Sequence, residues 1–218
     1  MIKAKRNPVF ERVMRQVTLP QIRKQFHAVY WKGPEFDGTP SLYIANHSSW
    51  WDGLLYYHLR HTVIDRSTHI MMHEKGLKKF WYFRYTGAYS VNKQSRRDII
   101  EALNYSKEVI EQGFSVWIFP QGEEFSQEIR PLVLETGVGH LANQLPQTPI
   151  IPITLYYWFG HHKKAEVAIL AGEALLFTSL PGETRKQKMK ALEKHLEKQL
   201  ELLKQDVVSE SLDTYRVL

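Results

Sequence analysis

The chain has 218 residues, of which 43% are hydrophobic and 24% are charged. This length and mixture predict one folded domain with a substantial core and argue against an intrinsically disordered chain. The absence of cysteine excludes disulfides, thiolate zinc sites and a cysteine nucleophile. A net charge of +6 favours an anionic partner, such as nucleic acid, lipid headgroups or a phosphorylated co-substrate.

The first 34 residues hold one acid, Glu11, among many lysines and arginines. Apolar residues recur at helical spacing on both sides of Pro20, so the sequence predicts two short basic amphipathic helices within residues 1–34. Such helices can lie in a lipid interface, or they can cover the core with their cations in solvent. No apolar run approaches the ~20 residues that a membrane-spanning helix needs. We therefore expect a cytoplasmic protein, bound peripherally to the inner face of the cell membrane.

Strands and helices alternate along the rest of the chain. Short apolar runs predict strands at 41–45, 68–72, 88–91, 115–119, 150–156 and 167–170. Longer amphipathic segments predict helices at 52–59, 75–85, 96–112, 136–144 and 183–205. This alternation predicts a single α/β domain over residues 1–218, with a mixed, mostly parallel sheet flanked by helices.

A histidine and an aspartate follow the first of these predicted strands, His47 directly and Asp52 five residues later. Functional sites in α/β folds collect at such strand ends, where loops are accessible but held by a rigid sheet. The carboxylate can bond one imidazole nitrogen and leave the other free to accept a proton. The nucleophile is then a hydroxyl of the substrate. The alternative is that Asp52 only caps the helix that follows it.

Three further motif blocks follow in order, at residues 87–93, 119–123 and 150–154. Together with His47-x4-Asp52 they resemble the four blocks of the glycerolipid (1-acylglycerol-3-phosphate or lysophospholipid) acyltransferase superfamily, from about residue 41 to about residue 156. The resemblance implies that a fatty acyl group moves from acyl-CoA or an acyl carrier protein to a hydroxyl of a lipid-like acceptor at a membrane surface. It implies that His47 is the general base, that Asp52 orients it, and that no cofactor or metal is required.

The same resemblance implies a set of substrate-binding residues: Lys93, Gln121, Gly122 and Glu123. Backbone N–H groups in the loops of His47 and Gly122 are expected to stabilise the oxyanion of the reaction.

Several residues differ from the family pattern. Lys93 replaces an arginine, Gln121 replaces a glutamate, Glu123 replaces a threonine and Glu124 replaces an arginine. Two carboxylates would repel the phosphate of lysophosphatidic acid. We therefore expect a neutral, glycosylated, amine-bearing or zwitterionic lipid alcohol as acceptor. The alternative is that Glu123 and Glu124 point into solvent or make structural bonds.

Other features leave more than one interpretation open. The aromatic residues that follow His47 can pack in the core or line an acyl-chain tunnel: Trp50, Trp51, Tyr56 and Tyr57. His161 and His162 belong to a cationic loop that could contact a phosphorylated co-substrate. A competing hypothesis is a non-catalytic basic protein that binds membranes or nucleic acid. The sequence contains no helix-turn-helix, RNA-binding or OB-fold signature, so we expect no nucleic-acid partner.

Overall fold

The computed structural model describes residues 1–64 and 67–218. Its centre is an eight-stranded sheet in the order β4-β3-β5-β2-β6-β7-β1-β8. The strands are β1 Phe26–Lys32, β2 Leu42–Ala45, β3 His69–His73, β4 Ala88–Val91, β5 Val116–Ile118, β6 Ile150–Trp158, β7 Ala165–Ala171 and β8 Arg216–Val217. Neighbouring strands are antiparallel at β6–β7 and at β1–β8 and parallel elsewhere in this order. The predicted α/β fold with a mixed, mostly parallel sheet is confirmed.

Helices cover both faces of the sheet. They are α1 Pro8–Gln25, α2 Asp52–Leu59, α3 Glu74–Lys79, α4 Arg96–Glu111, α5 Thr136–Gln144 and α6 Arg185–Val208, with 3-10 helices at Trp81–Thr86 and Phe177–Ser179. Strand β2 shows how one sheet serves two cores. Leu42 and Ile44 pack into the cluster under α4, α5 and α6, whereas Tyr43 and Ala45 pack into the cluster on the opposite face. This alternation follows from the two-residue period of a strand.

The prediction of a second basic helix near the N-terminus is wrong. Helix α1 continues through Pro20 to Gln25, and the residues that follow form β1. Val29 and Trp31 are buried because β1 is inserted between β7 and β8, which supply the partners of its backbone N–H and C=O groups. The helical spacing of the apolar residues was therefore overridden by pairing with strands distant in sequence. Among the described residues, no helix is long and apolar enough to cross a membrane.

Helix α6 is the predicted C-terminal amphipathic helix, and it begins at a capping box between Thr184 and Gln187. Four of its five leucines are fully buried, namely Leu192, Leu196, Leu200 and Leu203, and Leu202 is exposed. Gln199 also ties the helix to the sheet, because its Nε2 donates to the carbonyl of Leu170 at 2.8 Å. Burial of each leucine contributes about 1.5–3 kcal/mol, so this face of α6 accounts for its docking.

A buried ion pair fixes α1 against α2. The guanidinium of Arg60 is fully buried, lies 3.2 Å from the carboxylate of Glu11 and also donates to the carbonyl of Thr86. The hydroxyl of Tyr57 donates to the backbone carbonyl of Glu11 at 2.6 Å. Since α2 begins at Asp52, these bonds hold one side of the candidate site.

Candidate active site

The carboxyl ends of two neighbouring parallel strands bring the motif residues together. His47 follows β2, and Phe119 follows β5, which pairs with β2. The imidazole of His47 stacks on the ring of Phe119 with 4.3 Å between ring centroids. The predicted position of the site at strand ends is thus what the topology produces.

The predicted hydrogen bond between His47 and Asp52 is present. Nδ1 of His47 lies 2.7 Å from Oδ2 of Asp52, whose side chain is fully buried. The same Oδ2 accepts from the backbone N–H of Ser48 at 2.8 Å and of Ser49 at 3.0 Å. These N–H groups precede α2, and the helix has no side-chain cap. Asp52 therefore shapes the histidine loop and does more than cap a helix.

The second carboxylate oxygen of Asp52 is bonded by Tyr157, a residue that the sequence analysis missed. The tyrosine hydroxyl donates to Oδ1 of Asp52. Burial and the adjacent charge of Asp52 raise the pKa of Tyr157 well above its ordinary value, so the phenol stays protonated and remains a donor. Tyr157 lies on β6, 105 positions away in sequence, and no local motif pointed to it.

Asn46 and Gln121 hold the backbone around His47. The side chain of Asn46 makes two bonds to the backbone of Leu155, donating to its carbonyl at 3.0 Å and accepting from its N–H at 2.8 Å. Oε1 of Gln121 accepts from the N–H of His47 at 2.7 Å. Gln121 is buried and lies outside the residues that line the adjacent cavity. Its position makes it a positioning residue, although substrate contact had been predicted for it.

Lys93 and Gly122 lie together, as the motif blocks predicted. Nζ of Lys93 is 2.9 Å from Glu135 and 3.6 Å from Glu123. Although partial burial opposes it, the bonds to these two carboxylates raise the pKa of Lys93. Gly122 has φ of +76°, a conformation that favours glycine, and a Cβ there would stand 2.7 Å from Nζ of Lys93, so that the lysine side chain would have to move aside.

Glu124 faces the free side of the histidine. Its Oε1 lies 3.9 Å from Nε2 of His47, and about half of its side chain, 51%, is exposed. Glu123 is 68% exposed but is paired with Lys93. Glu124 is therefore placed at the site, whereas Glu123 lies outside the cavity lining and fits the alternative of a structural bond.

A large cavity opens from His47. Its volume is about 950 Å³, and most of its lining surface is apolar. Apolar lining residues include Leu54, Ile70, Phe80, Val91, Ile99 and Val138. Of the aromatic residues that follow His47, Trp50, Tyr56 and Tyr57 contribute to the lining. Trp51 instead packs edge-on against Phe26, at 5.5 Å between centroids.

The backbone donors expected for the oxyanion are already used within the protein. The N–H of His47 donates to Gln121, and those of Ser48 and Ser49 donate to Asp52. The N–H of Gly122 donates to the carbonyl of Phe119 at 3.0 Å. The structure therefore gives no support to an oxyanion hole made by these four groups.

The motif-bearing part of the chain has a recognisable family relationship. The family model described as Acyltransferase matches residues 14–156, which is more than half of the chain. The chain belongs to the acyltransferase family. This confirms the predicted superfamily and gives the chain a domain that is characteristic of acyltransferase enzymes. The His47–Asp52 pair and the three later blocks all lie inside the matched range.

Two relatives agree with this assignment. This acyltransferase-family chain is 29% identical over 77 residues to the 1-acyl-sn-glycerol-3-phosphate acyltransferase of Saccharomyces cerevisiae, a match that spans 34% of this chain and 25% of the yeast protein. The crystal structure of PlsC, the 1-acyl-sn-glycerophosphate (LPA) acyltransferase of Thermotoga maritima, has a similar fold. The TM-score is 0.66 at 18% identity, over 89% of this chain and 79% of PlsC.

Proposed function

We propose that this chain transfers a fatty acyl group from an acyl thioester, acyl-CoA or acyl carrier protein, to a hydroxyl of a lipid-like acceptor. The observation that carries this proposal is the placement of His47. Its Nδ1 is bonded to a buried carboxylate, and its ring lines a large apolar cavity. Family membership supports the same reaction class, and the names of both relatives specify acyl transfer to 1-acylglycerol phosphate.

His47 acts as the general base in this proposal. The acceptor hydroxyl gives its proton to Nε2 while its oxygen bonds to the carbonyl carbon of the thioester. The carbon–sulfur bond then breaks, and the imidazolium returns the proton to the departing thiolate. Asp52 keeps the proton of the resting imidazole on Nδ1, which leaves Nε2 free to accept the acceptor's proton, and it stabilises the imidazolium that forms.

Both carboxylate oxygens of Asp52 have hydrogen-bond partners. Two backbone N–H groups and the phenol of Tyr157 donate to it, and the base itself is the fourth partner. A buried carboxylate is tolerated only when its oxygens are bonded in this way. The network therefore fixes the orientation of the Asp52 carboxylate relative to the imidazole of His47.

The cavity is suited to the acyl chain. Apolar walls that begin at the base can bury the hydrocarbon and leave its carbonyl carbon next to His47. Cations that line the same cavity, Arg96 and Arg185, lie in the first turns of α4 and α6. They can meet the phosphates of a thioester donor, a feature common to coenzyme A and to the carrier-protein prosthetic group.

The acceptor in this proposal lacks a phosphomonoester. Near Nε2 of His47 stands the carboxylate of Glu124, and the nearby cation Lys93 is engaged by Glu135 and Glu123. An acceptor phosphate next to Nε2 would be repelled by Glu124, while Lys93 is already paired with two carboxylates. A neutral, glycosylated, amine-bearing or zwitterionic lipid alcohol suits the site better.

Membrane association belongs to the same proposal. Val9, Val13 and Val17 recur once per turn on the solvent side of α1 and are 74%, 51% and 47% exposed. Helix α1 packs against the 3-10 helix that carries Trp81, through rings of Phe10 and Tyr85 at 5.4 Å. Trp81 is 59% exposed. Exposed apolar residues flanked by cations favour docking on an anionic lipid surface.

The test is incubation with labelled acyl-CoA and a total lipid extract from the host, followed by mass spectrometry of the acylated lipids. We expect a labelled lipid ester that is absent when His47→Ala protein replaces the wild type. No labelled ester with the wild-type protein, with either acyl-CoA or acyl carrier protein as donor, would contradict the proposal. The same ester in equal amount from the variant would remove His47 from the mechanism.

A further inference from the structure

A second cluster of ligating side chains lies apart from the cavity, where β1 meets β7. It consists of His27 at the start of β1, His162 in the loop between β6 and β7, and Glu166 on β7. One nitrogen from each histidine and one carboxylate oxygen lie within 4.8 Å of one another. The sequence analysis did not connect these residues, because 134 or more positions separate His27 from the other two.

The backbone of β1 is irregular at this point. Phe26 pairs with Ala165 and Val29 pairs with Val167, so His27 and Ala28 together face the single residue Glu166. Such a bulge is rare between parallel strands and redirects a side chain. Here it places an exposed imidazole beside a carboxylate in the sheet.

Glu166 is the unusual member of the cluster, because it is a carboxylate only 4% exposed. Its Oε1 accepts from the hydroxyl of Tyr30 at 3.2 Å, and its Oε2 lies 3.6 Å from Nδ1 of His162. A Cβ at position 160 would stand 2.6 Å from this Oε2, so a side chain there would crowd the oxygen. Burial of a carboxylate is costly without a compensating positive charge, which a bound cation supplies.

We propose that His27, His162 and Glu166 form a binding site for a divalent transition metal, with Zn²⁺ as the best match. Two imidazoles and one carboxylate, completed by water, are a donor set that zinc accepts in tetrahedral geometry. The two rings are stacked, with 3.4 Å between centroids and 12° between planes. Both histidines are exposed, so their rings are free to turn until one nitrogen of each points at the ion.

The metal would hold two parts of the structure that meet beside the active site. It would join the first residues of β1 to the loop after β6. Phe26, next to His27, packs on Tyr157 at 5.9 Å between centroids, and Tyr157 donates to Asp52. The proposed acyl transfer does not pass through this ion.

The site can be tested without any assay of acyl transfer. Chelator-treated protein is dialysed against Zn²⁺, bound zinc is measured by elemental analysis, and thermal unfolding is followed with and without the metal. We expect one saturable Zn²⁺ per chain and a higher melting temperature with zinc. His27→Ala and His162→Ala should each weaken binding at least about 10-fold, the loss typical of a disturbed metal site.

The neighbouring His161 is a matched control, because it is exposed and lies 2.9 Å from Glu210, outside the cluster. His161→Ala should bind zinc with unchanged affinity. A hundredfold excess of Mg²⁺ should leave the zinc in place, since Mg²⁺ prefers oxygen ligands. Wild-type protein without saturable binding, affinity retained in both His27→Ala and His162→Ala, or equal loss in His161→Ala would overturn the proposal.

Discussion

The carboxylate of Asp52 determines which nitrogen of His47 is available for chemistry. It is buried, and its Oδ2 is shared by the imidazole and two backbone N–H groups. An asparagine at this position has the same size, and its amide oxygen would be favoured at the Oδ2 position, because two backbone N–H groups donate there. The bond to Nδ1 would remain, but the imidazolium that forms when His47 takes a proton would lose its stabilising negative charge.

Asp52→Asn should therefore lower kcat at least about 100-fold with little change in KM, by analogy with the orienting aspartate of serine proteases. Steady-state kinetics of acyl transfer would measure both constants. Asp37→Asn is the control, because Asp37 is exposed and does not belong to the cavity lining. Normal turnover in Asp52→Asn would reduce Asp52 to a loop-forming residue.

Glu124 is the residue through which the acceptor can be tested. Glu124→Arg replaces a negative charge 3.9 Å from Nε2 of His47 with a positive one. Because the side chain is half exposed, solvent screens its effect, and we expect a shift of about 10-fold rather than several orders of magnitude. The ratio of kcat/KM for a phosphomonoester acceptor to that for an amine-bearing or zwitterionic acceptor should rise.

Glu124→Gln should give an intermediate ratio, and Glu173→Gln, at an exposed position outside the cavity, should leave the ratio unchanged. If wild-type protein already prefers lysophosphatidic acid and Glu124→Arg does not alter that preference, the acidic loop has no part in acceptor selection.

Local spacing is sufficient to predict the His47–Asp52 bond, because the two residues are five positions apart in a loop that follows a strand. It is not sufficient for partners that depend on tertiary structure. Three such contacts join segments that are distant in sequence: Tyr157 with Asp52, Asn46 with Leu155 and Lys93 with Glu135. Local spacing does not reveal which distant loops meet, so these contacts could be identified only from the fold.

At the scale of elements, strongly patterned segments were predicted well. Helices α2 and α5 and strand β4 have the predicted bounds. The mistake at β1 has a physical cause, since the spacing of Ile22, Phe26, Val29 and Tyr30 fits a helix as well as an irregular strand. Its bulge disturbs the alternation by which a strand is recognised. Strand β8 has only two residues and carries no pattern of its own.

The exposed face of α1 gives a prediction at this scale. Val13→Glu and Val17→Glu combined should weaken binding to anionic phospholipid vesicles about 10-fold or more, because two valines lose favourable burial and acids oppose the headgroups. Vesicle co-sedimentation measures the effect. The control variant is Val208→Glu, which should bind the vesicles as the wild type does, since Val208 is 71% exposed at the end of another helix. Equal binding by the α1 variant and the wild type would exclude this face as the docking surface.

At the scale of the whole molecule, two buried histidines make stability depend on pH. Burial, aided by nearby arginines, lowers the pKa of His58 and of His69 to about 4. Both are neutral in the folded chain at pH 7. An unfolded histidine titrates near pH 6.5, so between about pH 6.5 and pH 4 the unfolded state binds more protons and is favoured as pH falls.

The free energy of unfolding should therefore be insensitive to these two groups above pH 7 and should decrease as pH falls from 6.5 to 4. The decrease is up to about 3 kcal/mol for each histidine. Urea unfolding across this range measures it. Replacement of both His58 and His69 by glutamine should reduce the loss of stability between pH 6.5 and pH 4. The control is His27→Gln, at an exposed position, which should retain that loss when it is measured in the presence of a chelator. An unchanged loss of stability in the double variant would show that these two histidines are not its cause.

The claim on which the rest depends is that His47 removes the proton of the acceptor. The chain has no cysteine, so the thiol released from an acyl-CoA donor can be followed with a thiol reagent without a signal from the protein. His47→Ala and His161→Ala are compared with the wild type, since His161 is exposed and lies outside the cavity lining. We predict a loss of at least about 100-fold in His47→Ala and near-normal rates in His161→Ala. More than a few per cent of wild-type activity in a folded His47→Ala protein would contradict the account.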